Sequence, residues 1–139
     1  MEWLYQGRPV VDDDLVGNVA FVYRITNTTN QKQYIGKKRL EFYRRKKIKG
    51  KKNRKKIVSP SDWRTYYGSN DALTSDLDKM GMDTFKREII QFARTLGEAS
   101  YLELYYQVIE KVLFQPDKYY NSIVQCRIHR KHVINLKVL

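Results

Sequence analysis

Cysteine is almost missing from this chain. Cys126 stands alone, so no intrachain disulfide can staple the fold. That usage fits a reducing compartment. No apolar run approaches the roughly eighteen residues that a membrane-spanning helix needs. The opening MEWLYQGRPVVDDD has no basic start and no long apolar stretch, and is not expected to act as a secretory signal. A phosphate-cradling glycine loop, a Gly-x-Ser-x-Gly elbow and a paired-cysteine zinc spacing are all absent. Cys126, His129 and His132 lie three residues apart, which matches no standard structural zinc site. The two histidines are expected to meet phosphate or solvent instead.

Acidic residues are also scarce. There are 15 of them against 27 lysines and arginines, giving a net charge of +12. Such a balance is silent about fold but favours polyanionic partners, nucleic acid first and anionic membrane second. The 139 residues suit one domain, and a hydrophobic content of 42% excludes wholesale disorder. No internal repeat is visible.

The pattern along the chain predicts a mixed α/β (α+β) domain over 1–139, with a core at about 18–125. Residues 1–16 are uncommitted, and Asp12, Asp13 and Asp14 read as a solvated turn. Asn18–Thr26 has the β-branched and aromatic content of a strand. Asn27–Asn30 has turn chemistry, and Gln33–Gly36 returns as the second strand of a hairpin. From Arg44 to Lys56, ten of thirteen residues are basic. Charges this dense repel one another, so a flexible basic loop is expected at about 44–62. SPSDWRTYYGS then offers aromatics and hydroxyls. It suits packing under the sheet, with base stacking by Trp63, Tyr66 and Tyr67 as the alternative.

Leu73, Leu77 and Met80 recur at helical spacing over Asn70–Met80, with Ser69 or Asn70 as cap and Gly81 just past the end. Thr84–Ala93 is expected to be a strand. Gly97–Phe114 is expected to be a helix whose apolar stripe is Leu102, Tyr105, Tyr106, Ile109, Val112 and Leu113. Glu103 lies at the edge of that stripe. Ser122–Arg127 suggests a short last strand, followed by a basic tail at 126–139.

Five features in this order resemble the GIY-YIG nuclease family. They are Phe21-Val22-Tyr23, an intact Tyr34-Ile35-Gly36, an arginine ten residues after Tyr34, Glu103 on a helix, and Tyr120-Asn121. YIGKK, SDWRTYYGS and FKREII resemble its SegE-like phage-encoded subgroup. Phe21 replaces the first glycine of the name motif, and Ile48 stands where a histidine often follows the arginine.

The resemblance implies a central three-stranded, mainly antiparallel sheet flanked by helices. It implies a metal-dependent DNA endonuclease with Tyr23, Tyr34, Arg44, Glu103 and Asn121 as catalytic residues. Glu103 would hold one divalent ion, Mg²⁺ or Mn²⁺, since Mg²⁺ keeps several waters and takes only one or two carboxylates. Tyr23 would act as general base or orient the attacking water, its phenol lowered by Lys37, Lys38 or the metal. Tyr34 would hydrogen-bond water or phosphate. Arg44, with Arg39, Arg45 and Arg64 as competitors, would stabilise transition-state charge. Asn121 would position the glutamate or the helix end.

The expected nucleic-acid contacts are Lys37, Lys38, Arg45, Lys46, Lys47, Lys49, Lys51, Lys52, Arg54, Lys55, Lys56, Trp63 and Arg64. Lysines there would follow phosphates and carry no sequence information. The expected partner is double-stranded DNA, with a homodimer compatible, no membrane, and a bacterial cytoplasm by analogy. A non-catalytic basic nucleic-acid-binding protein and a structural phage protein are the competing classes.

Overall fold

A computed structural model describes residues 1–47, 49–50, 52, 55–125 and 127–137, without the side chains of 46 and 55. The main sheet has five strands in the order β2-β1-β7-β3-β4, not the three expected. Its centre is β3 (Ala20–Asn27), antiparallel to both β4 (Gln33–Arg39) and β7 (Phe85–Ala93). The β3–β4 turn forms as its asparagines predict. The Asn27 carboxamide oxygen accepts from the amide and hydroxyl of Thr29, and Gln31 takes the left-handed region at φ 62°.

The first sixteen residues are part of this sheet, contrary to their reading as an uncommitted lead-in. β1 (Trp3–Tyr5) runs parallel to β7, and β2 (Arg8–Pro9) turns back to pair with it. The aspartates form the short helix α1 (Asp12–Leu15), where Asp14 takes a bidentate bond from Arg8. Trp3 is the reason the segment is held. Its indole N–H donates to the Trp63 carbonyl at 2.7 Å, and its ring meets Phe21 and Tyr23 edge-on.

Each face of the sheet carries its own core. Trp3, Phe21, Tyr23, Ile25, Phe85 and Ile89 share one with Leu40, Trp63, Leu73 and Tyr120. Ala20, Val22, Ile35 and Ala93 share the other with Ala99, Leu102 and Val112. The central pairing carries a β-bulge: the β3–β7 register jumps from Val22↔Gln91 to Tyr23↔Ile89, leaving Ile90 extra. Ile89 packs in the first core and its neighbour Ile90 against the second, the ordinary alternation of a strand.

Helix α2 (Asp71–Met80) is capped by Asn70, whose carboxamide oxygen accepts from the Leu73 amide, and stops at Gly81 with φ 84°. Helix α3 (Leu96–Ile109) begins at Thr95, whose hydroxyl accepts from the Glu98 amide. It ends earlier than its stripe predicts. Lys111 enters the left-handed region at φ 55°, and a single 3₁₀ turn follows. That break buries Val112 fully but leaves Ile109 and Leu113 exposed.

The basic run is not simply a loop. β5 (Glu41–Lys46) and β6 (Lys55–Pro60) pair as a separate two-stranded hairpin. Phe42, Tyr43, Ile57 and Val58 supply the β-forming content at its base. The expected strand at Ser122–Arg127 is absent among the described residues, and Cys126 lies outside them. Instead, a short helix, α4 (Arg130–Val133), docks on α3. Gly97 permits this, because a Cβ there would sit 2.8 Å from His132.

Replacing Trp3 by alanine removes an indole that is 4% exposed. We expect a loss of about 3–5 kcal/mol in urea unfolding. A loss below about 1 kcal/mol, the scale of a surface substitution, would show that the N-terminal strand is not part of the core.

Candidate active site

The hairpin register brings the two motif tyrosines together. Tyr23 and Gly36 are direct Cα partners, and Tyr34 sits two residues before Gly36 on the same face. Tyr23 is 1% exposed, and its ring lies across Gly36. A Cβ at Gly36 would fall 2.6 Å from the Tyr23 hydroxyl, so only glycine leaves room for this phenol. The Tyr34 ring is 6.1 Å from that of Tyr23. A third tyrosine completes the group. Tyr66 meets Tyr23 edge-on at 5.9 Å.

Because β4 is an edge strand, its outward backbone groups need partners. The Gln33 amide donates to the Lys118 carbonyl, and the Gln33 carbonyl accepts from the Tyr120 amide. Asn121 then imitates a neighbouring strand. Its carboxamide accepts from the Ile35 amide at 3.0 Å and donates to the Ile35 carbonyl at 2.8 Å. Gln107 of α3 donates to the same carbonyl at 2.9 Å. Further along, the Lys37 ammonium lies 4.0 Å from the Glu103 carboxylate. One edge thus positions Asn121, Gln107 and Glu103 beside the Tyr34-Ile35-Gly36 motif. Asn121 bonds the strand itself, where the sequence reading gave it the glutamate or the helix end to position.

The Glu103 carboxylate is only 18% exposed, with the Lys37 ammonium 4.0 Å away. Burial pushes its pKa up, and Lys37 offsets part of that. Its negative charge reaches both Tyr23 and Tyr34. Tyr23 does not have the lowered phenol expected of a free-standing base. Burial, the neighbouring Tyr66 and Tyr34, and Glu103 all push its pKa well above the ordinary value. The neutral phenol is therefore the resting form. Among the described residues, no three His, Cys, Asp or Glu side chains gather as a metal cluster. A lone carboxylate still fits a Mg²⁺-type ion, which keeps water ligands and takes oxygens from a substrate phosphate.

The family model described as "Putative endonuclease segE, GIY-YIG domain" matches residues 3–124. The chain belongs to this GIY-YIG family. No curated protein and no solved structure matches it. Membership makes it a nuclease domain whose substrate is nucleic acid. No helix among the described residues is long and apolar enough to cross a membrane.

In this GIY-YIG domain the remaining candidates fall into two groups. Arg44 and Arg45, with Lys47, Lys49, Lys52 and Lys56, are exposed on the β5–β6 hairpin. Among the described residues, Arg44 has no hydrogen bond or ion pair, and none joins it to Tyr23, Tyr34 or Glu103. Arg39 is exposed at the end of β4, and Arg64 stacks on Trp63 at 4.4 Å. Lys51 and Arg54, and the side chains of Lys46 and Lys55, lie outside the described residues.

Two expected nucleic-acid contacts are occupied elsewhere. Trp63 is 5% exposed and belongs to the core, so its ring is not open to a base. Lys38 is ion-paired with Asp62, and its ammonium lies 4.1 Å from the centre of the Tyr66 ring. Lys37 remains in an open cleft with Ser100, Gln125 and Arg127. The sequence reading gave no role to Gln107 or Arg127. Their signals are single polar residues whose roles depend on the chain crossing back over β4.

The raised Glu103 pKa has a consequence for the metal-free protein. A carboxyl whose folded pKa exceeds its unfolded one contributes its full stability at low pH and loses it as pH rises through the folded value. Glu103→Gln should therefore match wild type in thermal midpoint near pH 4 and exceed it at pH 7. A variant that is less stable at pH 7 than at pH 4, relative to wild type, would contradict the burial of this charge.

Proposed function

We propose that the protein is a metal-dependent endonuclease that hydrolyses phosphodiester bonds in double-stranded DNA. The observation that carries the proposal is the largely buried Glu103 carboxylate, 4.0 Å from the ammonium of Lys37, the residue that follows the tyrosine-flanked Gly36 on β4.

In this reading Glu103 holds one divalent ion, Mg²⁺ or Mn²⁺. When bound, that ion supplies Lewis-acid stabilisation of the scissile phosphate and of the leaving oxygen. Tyr23 orients the attacking water, and Tyr34 hydrogen-bonds the phosphate. Asn121 and Gln107 keep β4 in register with α3, and so keep Glu103 and the two phenols at a fixed separation. Arg44 supplies positive charge to the phosphate from the hairpin. Lys37 lies in the cleft nearest the carboxylate and takes a neighbouring phosphate.

The exposed lysines and arginines of β5 and β6 follow the DNA backbone, which confers affinity without sequence readout. A homodimer would present two such sites to the two strands. The family likeness suggests a phage-encoded enzyme working in a bacterial cytoplasm, in homing or in cutting host or rival DNA.

A plasmid-nicking assay with Mg²⁺ or Mn²⁺, run alongside DNA-binding measurements, separates this from a non-catalytic binder. Glu103→Ala should bind DNA as wild type does and cut at least about 100-fold more slowly, the scale of losing one transition-state contact. If wild type binds but does not cut with either ion, the binder reading replaces the endonuclease.

A further inference from the structure

Three cavities lie end to end along the start of α3. The first, of about 610 Å³, is bounded by Lys37, Ser100, Gln125 and Arg127. The second shares Lys37 and Ser100 with it and runs over Ala20, Ala99 and Phe42 to Leu96. The third shares Leu96 with the second and opens between Arg94 and the β5–β6 hairpin, at Tyr43, Arg45 and Lys56. Shared walls make them one groove. It leads from the hairpin, past the lysine that lies 4.0 Å from Glu103, to the segment after Asn121.

The groove carries charge of one sign. Arg39, Arg45, Lys56 and Arg127 are exposed along it, and among the described residues none of the four has an ion pair. No Asp or Glu lines any of the three cavities among the described residues. Lys38 and Arg94 also reach the groove but are engaged by Asp62 and Glu98. The start of α3 is closed by its own side chains. Thr95 accepts from the Glu98 amide, and the Glu98 carboxylate accepts from the Arg94 amide. An anion in the groove would therefore be held by the exposed cations. The floor is apolar, with Ala20, Leu96, Ala99 and a Phe42 that is 45% exposed. A row of cations over an apolar floor suits phosphates joined by sugars better than one compact anion.

The end that holds Arg127 is fastened on both sides. Val124 and Leu136 pack against the second core. The carbonyls of Asn135 and Lys137 accept from Arg94 at 2.8 Å and from Gln91 at 3.1 Å. The chain between these anchors brings Arg127 to the same cleft as Lys37.

We propose that this groove seats the sugar–phosphate backbone of one DNA strand, with Arg127 as the phosphate contact at its C-terminal end. The strand then runs from the hairpin across the start of α3 to the Glu103 edge, and the C-terminal segment is part of the nucleic-acid site. The inference rests on the DNA substrate of the reading above, and not on cleavage.

The test is DNA binding without divalent metal, followed by fluorescence anisotropy over a series of salt concentrations. The probes are a labelled duplex and a labelled oligothymidylate. The variants are Arg127→Ala, Arg127→Glu, Arg45→Ala, the Arg45→Ala/Arg127→Ala double, and Lys79→Ala on α2 as a control outside the groove. Arg127→Ala should weaken duplex binding about fivefold, with the thermal midpoint unchanged. It should also reduce the slope of log affinity against log salt by about 0.9, the share of one phosphate. Arg127→Glu should lose more. On the oligothymidylate, Arg127→Ala and Arg45→Ala should each reduce the slope by about 0.7 and the double variant by about twice that, because one strand meets both ends. Lys79→Ala should match wild type.

If Arg127→Ala and Arg127→Glu bind as wild type does, the groove is wrong whatever plasmid nicking shows. It is also wrong if the oligothymidylate registers Arg45 but not Arg127, or if Lys79→Ala shifts the slope as much as Arg127→Ala. If the slopes fall as stated while wild type cuts no DNA, the groove stands and the endonuclease reading falls.

Discussion

The outer edge of β4 carries peptide groups that no sixth strand pairs, and the way they are covered organises this half of the molecule. Gln33 bonds the backbone of 118–120, Ile35 bonds the side chains of Asn121 and Gln107, and the Lys37 ammonium lies 4.0 Å from Glu103. Each partner sits on the segment that crosses back over the sheet or on α3. Leaving any one of these buried groups unpaired would cost about 1–3 kcal/mol. The covering therefore fixes where α3 lies, and with it where the glutamate points.

The same strand separates two environments. On one side are packed aromatics, with the rings of Tyr23 and Tyr34 filling the space over Gly36 and Tyr66 edge-on to Tyr23. At the edge is a carboxylate with a lysine 4.0 Å away. Burial on the aromatic side keeps the Tyr23 and Tyr34 phenols neutral. Positive charge is concentrated elsewhere, on a hairpin that stands apart from the main sheet. The dense positive charge and the edge carboxylate thus lie on different elements.

The parts legible in the sequence were those set by local chemistry. Asn27 and Asn70 announced a turn and a cap, Gly81 announced a helix end, and the alternation in Phe85–Ala93 announced a strand. The close pairing of Tyr23 with the Tyr34-Ile35-Gly36 motif followed from the hairpin. What stayed hidden depends on distant partners. Trp3 is a core residue only because β1 lies parallel to β7, eighty residues away in register. The apolar stripe on α3 overran the true helix because Lys111 turns the chain left-handed, which no periodicity reveals. Repulsion among lysines argued for a loop at 44–62, yet Phe42, Tyr43, Ile57 and Val58 zip the base of a hairpin. The hydrogen-bond partner of Asn121 stayed hidden for a related reason. Its target is a peptide group of β4, and peptide groups leave no trace in a sequence pattern.

The claim at the centre of this account is that the reaction takes place at the outer edge of β4. Paramagnetic broadening by Mn²⁺ tests it directly. The ¹⁵N-labelled protein would be titrated while bound to a phosphorothioate duplex that resists cleavage. The amide signals of Gly36 and Lys37, with those flanking Glu103, should broaden first, while those of Arg44 and Lys56 on the hairpin persist. Broadening centred on Asp12, Asp13 and Asp14, or spread evenly over the protein, would contradict it.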